Sequence, residues 1–190
     1  MADGDRILKY RSEAIYARDK LDFYIEPETA VLPLFDSVRF QGIIHDPACG
    51  RGTIPGCARE AGYHATGADI VDRGFPGAVL ADFLEDRTVR DNIVSNPPYA
   101  LAERFALHGL RVTEGRVALL TRLAFLEGQA RRRTLFAPHP PEQILILSRR
   151  PSMPPGDVAI EAKGGKTAYC WVVWNVAGIA GGLTVTRWLA

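Results

Sequence analysis

Gly42-Ile43-Ile44-His45-Asp46-Pro47-Ala48-Cys49-Gly50-Arg51-Gly52 is the stretch on which the reading of this chain turns. Residues 42–45 have the length and apolar character of a buried strand, and the run ends in a turn made of Asp, Pro and two glycines. A helix is expected to follow through Cys57 to Ala61, with Gly62, tolerant of positive φ, as its stop. A strand that passes through a glycine turn into a helix is a unit of an open α/β sheet, and ligands bind such sheets beyond the carboxyl ends of the strands. Gly50 and Gly52 permit positive φ and carry no side chain, so the backbone there can approach a ligand. The helix that follows adds unsatisfied N–H groups and the positive end of its dipole.

Working outward, residues 28–40 place Val31, Leu32, Leu34, Phe35 and Val38 on one helical face, with Pro27 near the start. Downstream, residues 64–70, 78–81, 92–95, 116–120, 143–147 and 169–175 read as strands, and residues 101–110 and 123–136 as helices. This alternation predicts a mostly parallel sheet covered on both faces. The tail, residues 181–190, is a candidate edge strand. Residues 1–22 mix charge with aromatic groups, a pattern that suits an N-terminal arm or a short helix. Residues 148–167, rich in Pro, Gly, Arg and Lys and without periodicity, form a candidate substrate loop within one domain spanning 1–190.

The 190 residues suit one α/β domain with a substantial core, and 47% hydrophobic with 24% charged residues is the balance of a globular chain. A net charge of +1 gives no global field, so a polyanion would have to be held by a local patch. Arg131, Arg132, Arg133, Arg149, Arg150, Lys163 and Lys166 are the candidates, the triplet reading better as a solvated helix face. Three cysteines without paired spacing predict reduced thiols, a cytoplasmic setting and no zinc or other metal site. The acidic, polar start leads to the expectation of no signal peptide, and no apolar run reaches the roughly 20 residues that span a bilayer. The four histidines have neither metal-ligand spacing nor a neighbouring nucleophile and read as structural.

Two acids and one turn supply chemistry on the ligand edge. Asp69 closes the second strand and can accept from ribose hydroxyls, while Asp82 and Phe83, after the third, can bracket an adenine ring. The run Gly50-Arg51-Gly52-Thr53-Ile54-Pro55 is not GxGxxG and no Walker Lys-Ser/Thr follows, which removes dinucleotide and triphosphate readings. Asn96-Pro97-Pro98-Tyr99 comes directly after the fourth strand. Its prolines stiffen the turn and donate no backbone hydrogen bonds. The Asn96 side-chain oxygen and the Pro97 carbonyl can each accept a proton from one planar NH₂ group, and Tyr99 offers a ring for stacking. Such an arrangement favours the positive charge that grows as an amine attacks a sulfonium methyl, by orientation and electrostatics rather than by a strong base.

These residues resemble the amino-methyltransferase family, whose Asn-Pro-Pro-Tyr and Asp-Pro-x-Cys-Gly-x-Gly motifs match residues 96–99 and 46–52. Phe23-Tyr24-Ile25-Glu26-Pro27 resembles the segment that closes over the methionine part of the cofactor in the adenine-modifying DNA enzymes, with Glu26 where a threonine is common. Leu123-Ala124-Phe125-Leu126-Glu127-Gly128-Gln129, Arg149-Arg150-Pro151 and Ala168-Tyr169-Cys170-Trp171-Val172-Val173-Trp174 resemble a phage-associated branch of those enzymes. The resemblance covers about residues 20–176. It implies a Rossmann-like fold with seven strands, the last antiparallel, and S-adenosylmethionine as cofactor. The cofactor residues it implies are Tyr24, Glu26, Pro27, Asp46, Ala48, Gly50, Gly52, Thr53, Asp69, Ile70, Asp82, Phe83 and Asn96. It further implies catalysis by Asn96, Pro97, Pro98 and Tyr99, and DNA contacts by Tyr99, Arg149, Lys163 and Lys166.

The expected reaction is methylation of the exocyclic amine of adenine in DNA. The chain has no room for a large target-recognition domain, so specificity is expected from the 148–167 loop, the N-terminal arm or a protein partner. A base flipped from duplex DNA would cost a few kcal/mol, and a single strand would avoid much of that. A protein glutamine, an RNA base, and a methyltransferase-like subunit without turnover remain alternatives.

Overall fold

Side chains alternate about two strands at the heart of the protein. In β5 (Arg116–Arg122), Ala118 and Leu120 face one apolar cluster while Val117 and Leu119 face another. In β7 (Tyr169–Asn175), Tyr169, Trp171 and Val173 join the first cluster while Cys170, Val172 and Trp174 join the second. A strand apolar on both faces must be sandwiched, and these two strands are adjacent. The computed structural model describes residues 22–156, 165–178 and 183–190. Most of the N-terminal arm and part of the 148–167 loop, including Lys163, lie outside the described residues.

The remaining strands are β1 (Ile44–Asp46), β2 (Ala65–Asp69), β3 (Val79–Leu80), β4 (Asn92–Ser95), β6 (Gln143–Leu147) and β8 (Val185–Leu189). They form one sheet in the order β3-β2-β1-β4-β5-β7-β6-β8. Every pairing is parallel except those of β7, which runs antiparallel to both β5 and β6. The sheet therefore has eight strands rather than seven, and the seventh in the chain is antiparallel, as expected. The tail supplies the eighth, parallel to β6 on the edge.

On one face, α1 (Glu28–Ser37) and α2 (Thr53–Glu60) pack Val31, Leu34, Phe35 and Ile54 into the first cluster. The indole N–H of Trp171 donates to the Ala30 carbonyl at 2.8 Å, so this buried ring keeps its polar atom paired. On the other face, α3 (Ala102–Val112) contributes Phe105, Ala106 and Val112. The expected helix over residues 123–136 is interrupted. A 3₁₀ turn, Leu123–Leu126, gives way at Gly128, whose φ of 104° no helix accommodates, to a short α4 (Gln129–Arg131) and a π-helical turn, Arg132–Phe136. Helix α1 also ends three residues earlier than expected, because Val38 is already extended. Strand order reverses at β1 and β4, which places the crevice between the residue 46–52 loop and the residue 96–99 turn.

Candidate active site

The crevice is lined by the loop after β1, the ends of β2 and β4, the turn after β3, the start of α3, and a strap of residues 22–26 that crosses it. Tyr24, Glu26, Ala48, Gly50, Thr53, Asp69, Ile70, Asp82, Phe83, Asn96 and Pro98 all border it. Thus most of the residues singled out in the sequence converge on one cleft from separate elements.

The glycine loop is shaped by its neighbours. Gly50 (φ 51°) donates its N–H to Asp69 Oδ2 at 2.9 Å, and a Cβ on it would lie 2.7 Å from the Phe23 ring. Gly52 (φ 87°) precedes α2, and a Cβ there would collide with the Phe75 ring. Pro55 falls in the first turn of α2, where its missing N–H leaves no bond unmade. Asp46 turns inward rather than toward the cleft: it is 1% exposed and accepts from Ser95 Oγ (2.7 Å) and the Ala48 N–H (3.1 Å). It ties the glycine loop to β4, and burial holds its carboxyl well above the usual range. Asp69 Oδ1 accepts from the Val71 N–H at 3.0 Å, and Asp82 Oδ1 from the Leu84 N–H at 2.9 Å. Both carboxylates retain further lone pairs on the cleft. Phe83 lies edge-on to His108, with ring centroids 4.8 Å apart.

Asn96 is the most constrained side chain of the site. Its Nδ2 donates to the Tyr24 carbonyl (3.1 Å) and to Glu26 Oε2 (2.9 Å). Its Oδ1 is buried and has no hydrogen-bond partner among the described residues. Because a backbone carbonyl only accepts, the contact with Tyr24 fixes which end of the amide is the NH₂. Glu26 is nearly buried, and desolvation lifts its pKa from 4.5 to about 7 even though hydrogen bonds from Asn96 and Thr53 pull it down. Neither Glu26 nor Asp46 has an ion-pair partner among the described residues.

Tyr99 stands beside the cleft rather than in its lining. Its ring stacks with Tyr24 (centroids 5.5 Å apart, 23° between planes), and its hydroxyl has two partners within reach, Met153 Sδ (3.4 Å) and Tyr169 OH (3.2 Å), and donates its single proton to one of them at a time. Arg122 lays its guanidinium over the same ring at 4.4 Å. Ser95, Arg122, Met153 and Tyr169 were not identified from the sequence. Arg122 had a signal: it is the charged residue that ends an apolar strand on the ligand edge. Pro27 caps α1 from outside the cleft, and Pro97 is buried beneath the turn. Arg149 and Lys166 are exposed on the same sheet edge, after β6 and before β7, but do not line the cleft. Arg131 is occupied, donating to the Phe125 (2.6 Å) and Glu127 (2.8 Å) carbonyls and pairing with Glu103. His45 is held neutral, its pKa lowered to about 4 by burial and by Arg90, and hydrogen-bonds Thr66. Cys49, Cys57 and Cys170 are buried free thiols, and burial pushes Cys49 up to about 12. Among the described residues, no group of three or more His, Cys, Asp or Glu is placed to hold a metal ion, and no helix is long and apolar enough to cross a membrane.

No family model matches the chain, and no curated protein matches it. Solved structures do. A modification subunit of a proposed type I restriction enzyme from Vibrio vulnificus is 14% identical with a TM-score of 0.60, over 86% of this chain and 46% of that one. The M protein of the type I restriction enzyme EcoKI is 14% identical with a TM-score of 0.57, over 84% and 45%. A proposed RNA methyltransferase from Pyrococcus horikoshii is 15% identical with a TM-score of 0.57, over 82% and 87%. The chain spans about half the length of the two restriction-enzyme proteins and most of the third. At such identities the likeness is one of fold, and the class it defines is the Rossmann-like α/β fold of these methyltransferases.

Proposed function

We propose that this protein is an S-adenosylmethionine-dependent N-methyltransferase acting on the exocyclic amine of adenine in DNA. The observation that carries the reading is the state of Asn96, with its NH₂ end tied to two acceptors and its Oδ1 buried without a donor. An unsatisfied buried acceptor costs about 1–3 kcal/mol, which an incoming N–H would recover. A planar amine is such a donor, and the Pro97 carbonyl would be the second acceptor for its other proton. Together they would orient the nitrogen lone pair and stabilise the positive charge that grows on it.

The cleft suits the cofactor. Glu26 is a buried carboxyl on the cleft with no cationic partner among the described residues, complementary to a ligand carrying a sulfonium and an ammonium. Asp69 keeps lone pairs for ribose hydroxyls, and Phe83, Leu101 and Phe105 give an apolar wall for a purine. When bound, the cofactor supplies an electrophilic methyl group; the protein's part is to hold both partners and exclude water.

The motif pair at residues 46–52 and 96–99 supports the chemistry; DNA is favoured as substrate by the order of those motifs and the resemblance of residues 23–27, 123–129, 149–151 and 168–174 to the adenine-modifying DNA enzymes, and two of the structures sharing the fold belong to restriction enzymes. We read residues 1–190 as one catalytic domain acting in the cytoplasm. Tyr99 would stack the target base, Arg149, Lys163 and Lys166 would contact backbone phosphates, and a protein partner would supply target recognition. The test is transfer of labelled methyl from S-adenosylmethionine to single-stranded DNA, duplex DNA, RNA and a protein extract, with wild type and Asn96→Ala. Label in DNA as methyladenine, lost in the variant while cofactor binding persists, is expected. Label only in RNA or protein overturns the substrate, and cofactor binding without transfer to any of them overturns the enzymatic reading.

A further inference from the structure

The carboxyl end of β5 carries a cation that the reading above leaves unused. β5 lies beside β4 with Leu119 opposite Ser95, so its last three residues run on past the end of β4, along the residue 96–99 turn. The final one, Arg122, is exposed, and its guanidinium rests over the Tyr99 ring. No carboxylate among the described residues lies within ion-pair distance of it. Of the nearby arginines, Arg51 Nη2 donates to the Gly156 carbonyl at 2.8 Å, Arg73 lies over the Phe23 ring at 4.1 Å and Arg131 is bound as described above, while Arg104 is exposed on α3 at the far wall of the cleft, away from the Tyr99 ring contacts. A guanidinium stacked on an aromatic face keeps its N–H edge available, and that planar fork matches the oxygens of a phosphate.

Resting on the methyltransferase reading of the site, we propose that Arg122 selects a nucleotide over an amino-acid side chain by pairing with the backbone phosphate next to the base whose amine reaches Asn96. The ring that would stack the base and the cation that would hold its phosphate are then one preassembled unit, Tyr99 beneath Arg122. A glutamine on a protein presents the same NH₂ to Asn96 but brings no anion to this position. Arg122 stands outside the cleft lining, as the sequence-derived candidates Arg149 and Lys166 do, but it alone of the three is in contact with the Tyr99 ring.

The test is equilibrium binding of an adenine-containing single-stranded oligonucleotide to wild type, Arg122→Gln and Arg122→Lys, with S-adenosylhomocysteine present, at about 50 and about 200 mM salt. Each phosphate contact to a single strand contributes a slope of about 0.7 in log affinity against log salt. Raising salt fourfold should therefore weaken the wild type about 2.6-fold more than Arg122→Gln. Arg122→Lys should keep the wild-type slope while binding more weakly, having the charge without the stacked fork. Cofactor affinity, measured by calorimetry, should be equal in all three, which certifies the fold and the rest of the site. An unchanged slope in Arg122→Gln overturns the proposal, as does wild type that binds cofactor but no oligonucleotide. Failure of cofactor binding in the wild type instead overturns the proposed function on which it rests.

Discussion

Replacing Glu26 with glutamine tests the electrostatics of the cleft. Burial raises this carboxyl from 4.5 to about 7, so folding favours its protonated form. The stability it contributes is complete below about pH 4.5 and is lost as the pH rises through 7. At about 1.4 kcal/mol per pH unit, the interval from 4.5 to about 7 corresponds to about 3 kcal/mol. Glutamine buries no charge, and its amide oxygen can accept from Asn96 Nδ2 as the carboxyl does. Urea unfolding should therefore separate the two proteins by up to about 3 kcal/mol more near pH 8 than near pH 5, in favour of Glu26→Gln. Asp46 is raised in the same direction by burial, with Glu26 as its second cause, so each protein alone will lose stability with pH. The difference between them reports Glu26 together with its repulsion of Asp46. A cationic cofactor should narrow the gap near pH 8, because it stabilises the wild-type carboxylate that the variant lacks. A difference that stays constant from about pH 5 to about pH 8 would refute the reasoning.

Two further outcomes test packing. Trp171→Phe removes the indole N–H that Ala30 accepts and leaves a gap in a fully buried site, so chemical unfolding should show a loss of about 2 kcal/mol. Gly52→Ala should be more damaging than Gly74→Ala although the two φ values are 87° and 88°, because a Cβ on Gly52 strikes Phe75 while one on Gly74 meets nothing within 4 Å. The backbone strain common to both is about 1–2 kcal/mol, and equal losses in thermal unfolding would remove Phe75 from the account.

What the sequence made legible follows from where the information was local. The 42–52 run carries strand, turn and helix within eleven residues, and every position of β7 from Tyr169 to Trp174 is buried, as its apolar composition demands. The eighth strand was harder to read because Val185, Thr186, Arg187 and Trp188 are all exposed on the edge and show no alternation. The 123–136 segment has helical composition, but one glycine with positive φ outweighs it. In the site, the acids and the turn were visible because each follows a strand directly. The inward orientation of Asp46 was not, since it depends on Ser95, 49 residues away. The contacts of the Tyr99 hydroxyl span 54 and 70 residues, a range that no local pattern encodes.

The strap over the cleft bears on how a substrate reaches Asn96. Ile25 N–H donates to the Pro154 carbonyl (3.1 Å), Gly156 N–H donates to the Phe23 carbonyl (3.0 Å), and the Tyr24 carbonyl accepts from Asn96. Lifting the strap breaks all three bonds, at about 0.5–1.5 kcal/mol each, and uncovers the apolar surface beneath. The Tyr24 ring, by contrast, meets Tyr99 through a stacked pair worth about 0.5–1.5 kcal/mol beyond its burial. Rotating the Tyr24 side chain away frees the face of Tyr99 that it covers while leaving the Tyr24 backbone carbonyl on Asn96 in place. The Asn96 Nδ2 contact rests on the Tyr24 backbone and not on its ring, so a turn of the Tyr24 side chain leaves Nδ2 anchored and Oδ1 as the acceptor end.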